Sequence, residues 1–174
     1  KEHNTPSFAA SQVGPFDQWP VGMGFEYFYG FVGGDANQWQ PNLFRNTTQI
    51  YPFQGKQDWN LITGMADDAI NYLREVDASA PQKPFFLYYA PGATHAPHHV
   101  PADWIARFKG RFDGGWDRMR EETLARQIKL GIVPEGTTLA AKPEAIKEWS
   151  ALSPDEQKLF ARQMEVFAGF AEYT

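Results

Sequence analysis

The sequence has 174 residues, a formal net charge of −5, 43% hydrophobic and 16% aromatic residues, and no cysteine. That length suits about one domain, able to bury roughly 70% of its unfolded surface. An acidic balance without a basic cluster argues against nucleic acid or an anionic membrane surface as partner, and the missing cysteine removes disulfides, zinc–thiolate sites and thiol nucleophiles together.

No apolar run approaches the roughly 20 residues that a membrane helix needs, so no span is expected. Residues 1–24 are rich in Pro, Gly, Ser and Asn and read as loop. Residues 24–34, G-F-E-Y-F-Y-G-F-V-G-G, have strand-forming residues punctuated by glycines, which fits a short buried strand or a tight aromatic turn. Residues 35–56 read as polar loop, with Trp39, Tyr51 and Phe53 spaced irregularly. Asn46-Thr47-Thr48 matches a glycosylation triplet, a pattern too common to carry weight alone.

Residues 58–76 read as a helix. Leu61, Ile62, Met65, Ala66, Ala69, Ile70, Leu73 and Val76 recur at three- and four-residue spacing, with Asp67, Asp68, Asn71, Arg74 and Glu75 on the other face. After a turn comes the continuous apolar run Phe85, Phe86, Leu87, Tyr88 and Tyr89, which predicts a strand buried on both faces, as in a parallel sheet. Its carboxyl end passes through Pro91 and Gly92 into a loop holding His95, His98 and His99, the place where open α/β folds put their chemistry. A short helix is predicted over residues 101–109 and a second over 116–130, set off by Gly114, Gly115 and Gly131. Ser153-Pro154-Asp155-Glu156 is a helix-start signature, followed by a predicted apolar stripe of Leu159, Phe160, Gln163, Met164, Phe167, Ala168 and Ala171.

Spacing alone makes the three clustered histidines a polar loop first and a site second. His-Ala-Pro-His-His lacks the helical spacing or the cysteine partner of a zinc site, and Pro97 forbids a regular helix there. One of them could serve as a general acid or base, because imidazole titrates near working pH. Lys1 and His3 read, without further context, as a polar terminus. Asp67/Asp68 and Glu121/Glu122 lie on helix faces where solvation is their ordinary role.

Five segments, in order, carry a resemblance: G-F-x-Y-F-Y-G-F-x-G-G at 24–34, Q-W-x-P-N-L at 38–43, F-F-L-Y-Y-A-P-G-A-T-H-A-P-H-H-V-P at 85–101, W-D-x-x-R-E-E-T-x-A-R-Q at 116–127, and S-P-D-E-Q-K-x-x-A-R-x-M-E-V-F-A-G-F at 153–170. Through them the chain resembles the arylsulfatases, type I sulfatases of the alkaline phosphatase-like superfamily. The resemblance implies an α/β fold with a mainly parallel sheet flanked by helices, and hydrolysis of small-molecule sulfate monoesters. It places Lys1 and His3 on the family's G-K-x-H segment and His95 on the second active-site histidine, with His98 and His99 as bystanders at the pocket mouth.

The formylglycine nucleophile, made from Cys or Ser within C/S-x-P-x-R, has no counterpart in this sequence, and neither have the acidic residues that hold Ca2+ in the family. Residues 1–174 are therefore expected to be the central part of one sulfatase catalytic domain, cut at both ends and inactive alone, with the calcium ligands outside it. A phosphate or phosphonate ester hydrolase of the same superfamily is the alternative, as is a catalytically inert partial chain. Compartment, natural ester and oligomeric state stay open.

Overall fold

A computed structural model describes residues 1–174, which divide into two compact units: Lys1–Val100 with Tyr173–Thr174, and Pro101–Glu172. The first unit is built around aromatic packing in its first half. Trp19 is fully buried, donates its indole N–H to the Ala9 carbonyl at 2.8 Å, and meets Phe16, Phe28 and Phe44 edge-on. Edge-to-face contacts of this kind set the positive ring edge of one aromatic against the negative face of the next.

Three short strands, β1 (Tyr29–Gly30), β2 (Leu43–Arg45) and β3 (Thr48–Ile50), form an antiparallel sheet in the order β1-β2-β3. The stretch expected to be polar loop thus contains a hairpin. Its turn is closed by Asn46, which tolerates φ 54° and whose side-chain oxygen accepts from the Phe28 N–H at 3.0 Å. The sheet in this chain is antiparallel rather than parallel. Its one parallel pairing is an isolated bridge between Glu2 and Val32, where the Gly33 N–H donates to the Glu2 carbonyl at 2.8 Å.

Helix α1 (Leu61–Ser79) starts three residues later than predicted because Asn60 is the cap, its side chain accepting from the Ile62 N–H at 2.9 Å. Leu61, Ile62 and Met65 are buried, and Leu61 and Met65 join Phe31 and Leu43 in the core. Across the sheet, Arg45 and the Tyr27 hydroxyl both bind the Asp68 carboxylate, and the Tyr27 ring stacks on Tyr72 at 4.2 Å. Burial, reinforced by the hydrogen bond to Asp68, pushes the Tyr27 hydroxyl up to about 12.

Residues 85–89 do not form the buried strand their composition predicts. Phe85, Phe86 and Tyr88 are 66%, 78% and 64% exposed, and no backbone hydrogen bond joins residues 85–89 to another segment. Apolar alternation or continuity states a preference for burial, but a strand exists only where a neighbouring backbone pairs with it. Here the segment is fastened at its ends. Lys83 binds the Glu26 carboxylate at 2.6 Å, and the backbone nitrogen of Lys1 meets the carbonyl oxygens of Ala90 and Pro91.

The second unit holds α2 (Ala102–Ala106), α3 (Gly115–Lys129) and α4 (Pro154–Tyr173). Helix α2 is shorter than the predicted 101–109, the chain continuing as turns beyond it. Its core sets Trp116 edge-on to Trp149 at 4.8 Å, with Leu152, Ala161, Phe112 and Phe160 around them. Ser153 and Glu156 form a reciprocal capping box, the Ser153 N–H donating to Glu156 at 2.8 Å and the Glu156 N–H to the Ser153 hydroxyl at 3.3 Å. The buried residues of α4 are Ala161, Glu165, Gly169 and Phe170, none of them in the predicted stripe; Leu159 and Phe167 are about half exposed. Gly169 makes this face possible, since a Cβ there would lie 2.9 Å from the Ile105 Cα.

Candidate active site

The loop after residue 90 is pinned from several sides. At its entrance, Gly92 packs flat on Phe31: a Cβ at Gly92 would sit 2.9 Å from the Phe31 ring and 3.4 Å from the Gln38 amide nitrogen. The His95 N–H then donates back to the Gly92 carbonyl at 3.1 Å, closing a turn that leaves the His95 side chain exposed. At its far end, the His99 carbonyl accepts from the buried Asn60 side chain at 3.3 Å. Lys1 and His3 flank the Glu2–Val32 bridge, so the backbone of residue 1 reaches the carbonyls where this loop begins.

The His95 ring has a defined polarity. Its Nδ1 lies 2.7 Å from the Ala96 carbonyl, which can only accept, so Nδ1 carries a hydrogen and Nε2 is the atom left to exchange a proton. The His3 ring rests against Gly34, where an added Cβ would lie 3.0 Å from His3 Cε1. Glu2, between the two candidate residues, turns inward. Its Oε1 accepts from the Asn4 and Thr5 N–H groups at 2.7 and 3.1 Å, while Oε2 is buried without a donor.

The sulfatase family profile matches residues 3–174. The chain belongs to the sulfatase family. It is 30% identical over 156 residues to the arylsulfatase of Klebsiella aerogenes, an overlap covering 86% of this chain and 33% of that protein. It is 25% identical over 171 residues to an uncharacterised sulfatase of Schizosaccharomyces pombe, covering 90% of this chain and 30% of the relative. This sulfatase chain thus spans about a third of the length of the curated relatives it matches.

Family membership carries an alkaline phosphatase-like α/β fold. The sulfatase chain itself gathers no group of three or more His, Asp or Glu side chains that could hold a metal ion. A pocket of about 800 Å³ lies in the second unit among Trp116, Ile146, Leu152 and Phe160, and none of Lys1, His3 or His95 lines it.

Three residues of this region escaped the sequence reading. Asn60 was legible in principle, as an Asn immediately before the first buried residues of a helix. Gln38 carried no local signal beyond its place in Q-W-x-P-N-L. His99, taken for a bystander, has its Nδ1 3.4 Å from the Gln38 N–H.

Proposed function

We propose that the intact enzyme hydrolyses sulfate monoesters, aryl sulfates among them, and that Lys1, His3 and His95 of this chain serve that reaction. The observation that carries the reading is the joining of two distant segments. The backbone at Lys1 meets Ala90 and Pro91, the residues that open the His95 loop, in a chain whose family hydrolyses such esters. The parallel Glu2–Val32 bridge supports the mainly parallel sheet expected of the whole enzyme.

A sulfuryl centre is electron-poor but shielded by negatively charged oxygens, so its ester is cleaved by cations aimed at those oxygens and an acid aimed at the leaving group. In this reading the Lys1 ammonium binds sulfuryl oxygens and stabilises their charge in the transition state. As the imidazolium, with Nδ1–H held by the Ala96 carbonyl, His95 presents Nε2–H to the ester oxygen and gives up that proton to the leaving oxygen as the S–O bond breaks, reverting to the neutral ring with Nε2 bare. His3 takes up the proton released when sulfate departs. The formylglycine and calcium expected of the family supply the nucleophile and further charge neutralisation when present; the residues described here form no cluster that fits the cation.

The test compares turnover of an aryl sulfate and the matching aryl phosphate by the intact enzyme, with His95→Ala and Lys1→Ala variants. Preference for the sulfate and losses of about 10²–10⁴-fold in kcat for each variant are expected. Preference for the phosphate moves the protein to the sister hydrolases, and near-normal turnover of either variant removes the role given to that residue.

A further inference from the structure

Gln38 touches the His95 loop at both of its ends. Its side chain is 1% exposed and lies against the loop entrance, where the amide nitrogen stands 3.4 Å from the position of a Cβ on Gly92. Its backbone N–H points at His99 Nδ1 near the loop exit, at 3.4 Å. Its carbonyl accepts from the Leu61 N–H at 2.7 Å, tying it to the first turn of α1. The residue before that turn, Asn60, is also 1% exposed and donates its side-chain N–H to the His99 carbonyl at 3.3 Å. Three pieces of chain that are remote in sequence therefore meet at Gln38, with His95 midway between the two points held.

The polar inventory of this junction is not that of packing alone. The Gln38 Nε2 donates to the Ala36 carbonyl at 2.9 Å, but its Oε1 is buried with no donor. Buried polar atoms without partners are a small minority in folded proteins, and an apolar side chain of the same length would fill this space without that penalty. The His99 ring, for its part, is chemically constrained. An N–H directed at Nδ1 requires a lone pair there, which puts the ring hydrogen of neutral His99 on Nε2. His99 is thus an acceptor in the frame and holds the opposite tautomer to His95.

We infer that Gln38 and His99 are positioning residues: they clamp the loop that carries His95, so that His95 Nε2 is presented to substrate in one place. The inference rests on the assignment of His95 to the reaction given above. Neither residue touches substrate. A catalytic group displaced by about 1 Å can lose on the order of 10²-fold in rate while substrate binding through other contacts persists. The signature of the clamp is therefore loss of kcat with little change in KM.

The experiment uses the intact enzyme with three substitutions. His99→Leu removes the acceptor, whereas His99→Asn retains an acceptor oxygen near the place of Nδ1. Gln38→Met keeps length and volume but removes the amide. Expected are losses in kcat of about 10- to 100-fold for His99→Leu and Gln38→Met, with KM within about twofold of the parent, and recovery of most of the rate in His99→Asn.

Equal losses in the Leu and Asn variants overturn the inference for His99, because the ring itself is then the acting group. Unchanged kcat in His99→Leu or in Gln38→Met overturns it for that residue. Should a variant fail to fold, the parent enzyme labelled with 15N-histidine decides: His99 must show a non-protonated Nδ1 and a protonated Nε2, and the reverse pattern overturns the clamp. If the intact enzyme turns over no sulfate ester, the functional reading fails on its own. The clamp then stands or falls by the nitrogen resonances.

Discussion

Single residues in this protein are constrained most where backbone and ring come within contact distance. Gly115 has φ 75°, and a Cβ there would sit 2.1 Å from the Trp149 ring, inside any real contact. Gly115→Ala is therefore expected to destabilise the protein by at least about 2 kcal/mol, measured as a shift of the urea midpoint. Carboxylates of the second unit are the acid-sensitive points. Burial pushes the Glu165 carboxyl up, but Arg162 at 2.8 Å and the Gly110 N–H at 2.7 Å outweigh it and hold the group below its ordinary value. The bond to Lys142 does the same for Asp117, with the Trp149 N–H adding to it, and the Ser153 N–H and hydroxyl do so for Glu156. A carboxyl lowered in the folded state stabilises it above the unfolded pKa, and that contribution disappears as pH falls through the folded value. Stability should thus fall steadily below about pH 4.5, and Glu165→Gln should flatten that slope in urea melts from pH 6 to 3. An unchanged slope would assign the acid sensitivity elsewhere.

Elements begin where a side chain can satisfy the free N–H groups of a first turn. Ser153 and Glu156 do this for α4 and Asn60 does it for α1, but the two caps differ in reach. Ser153→Ala removes a local cap and is expected to cost about 1 kcal/mol with no effect on the His95 loop. Asn60 also donates to the His99 carbonyl, so Asn60→Ala should cost more than Ser153→Ala and, in the intact enzyme, lower kcat as well. Comparing thermal melts with turnover for the pair separates a cap from a cap that also holds a loop. Helix α4 shows how far periodicity carries. The 3.6-residue repeat and the start are plain in the sequence, yet the buried residues are Ala161, Glu165, Gly169 and Phe170, because Gly169 lets Ile105 approach closely. Hydrophobicity alone selects the neighbouring face, which holds Leu159 and Phe167.

On the scale of the molecule, the prominent feature is the bare run at residues 85–89, with Phe86 78% exposed and the backbone unpaired. An extended apolar segment with free N–H and C=O groups is a template for strand addition. The 174-residue chain prepared alone should therefore self-associate with rising concentration, as read by light scattering, and Phe86→Glu should suppress it. Association unaffected by that substitution would place the sticky surface elsewhere. The same run in the intact enzyme is where a neighbouring strand is expected under the proposed function.

Much of this protein could be read from residues in a row. The cap of α4, the amphipathic spacing of α1, the glycine before α3 and the family-bearing segments are all local, because a first turn, a φ above zero or a contiguous motif depends on neighbours in sequence. Which apolar run becomes a strand is not local. The hairpin at 43–50 forms from a stretch that reads as polar loop, while the most strand-like run, 85–89, stays unpaired, since pairing is a property of two segments rather than one. His95 stood out through its sequence context. Gln38, Asn60 and His99 did not, because what they do consists of contacts spanning 39 to 61 residues, which only the folded chain brings within hydrogen-bonding distance.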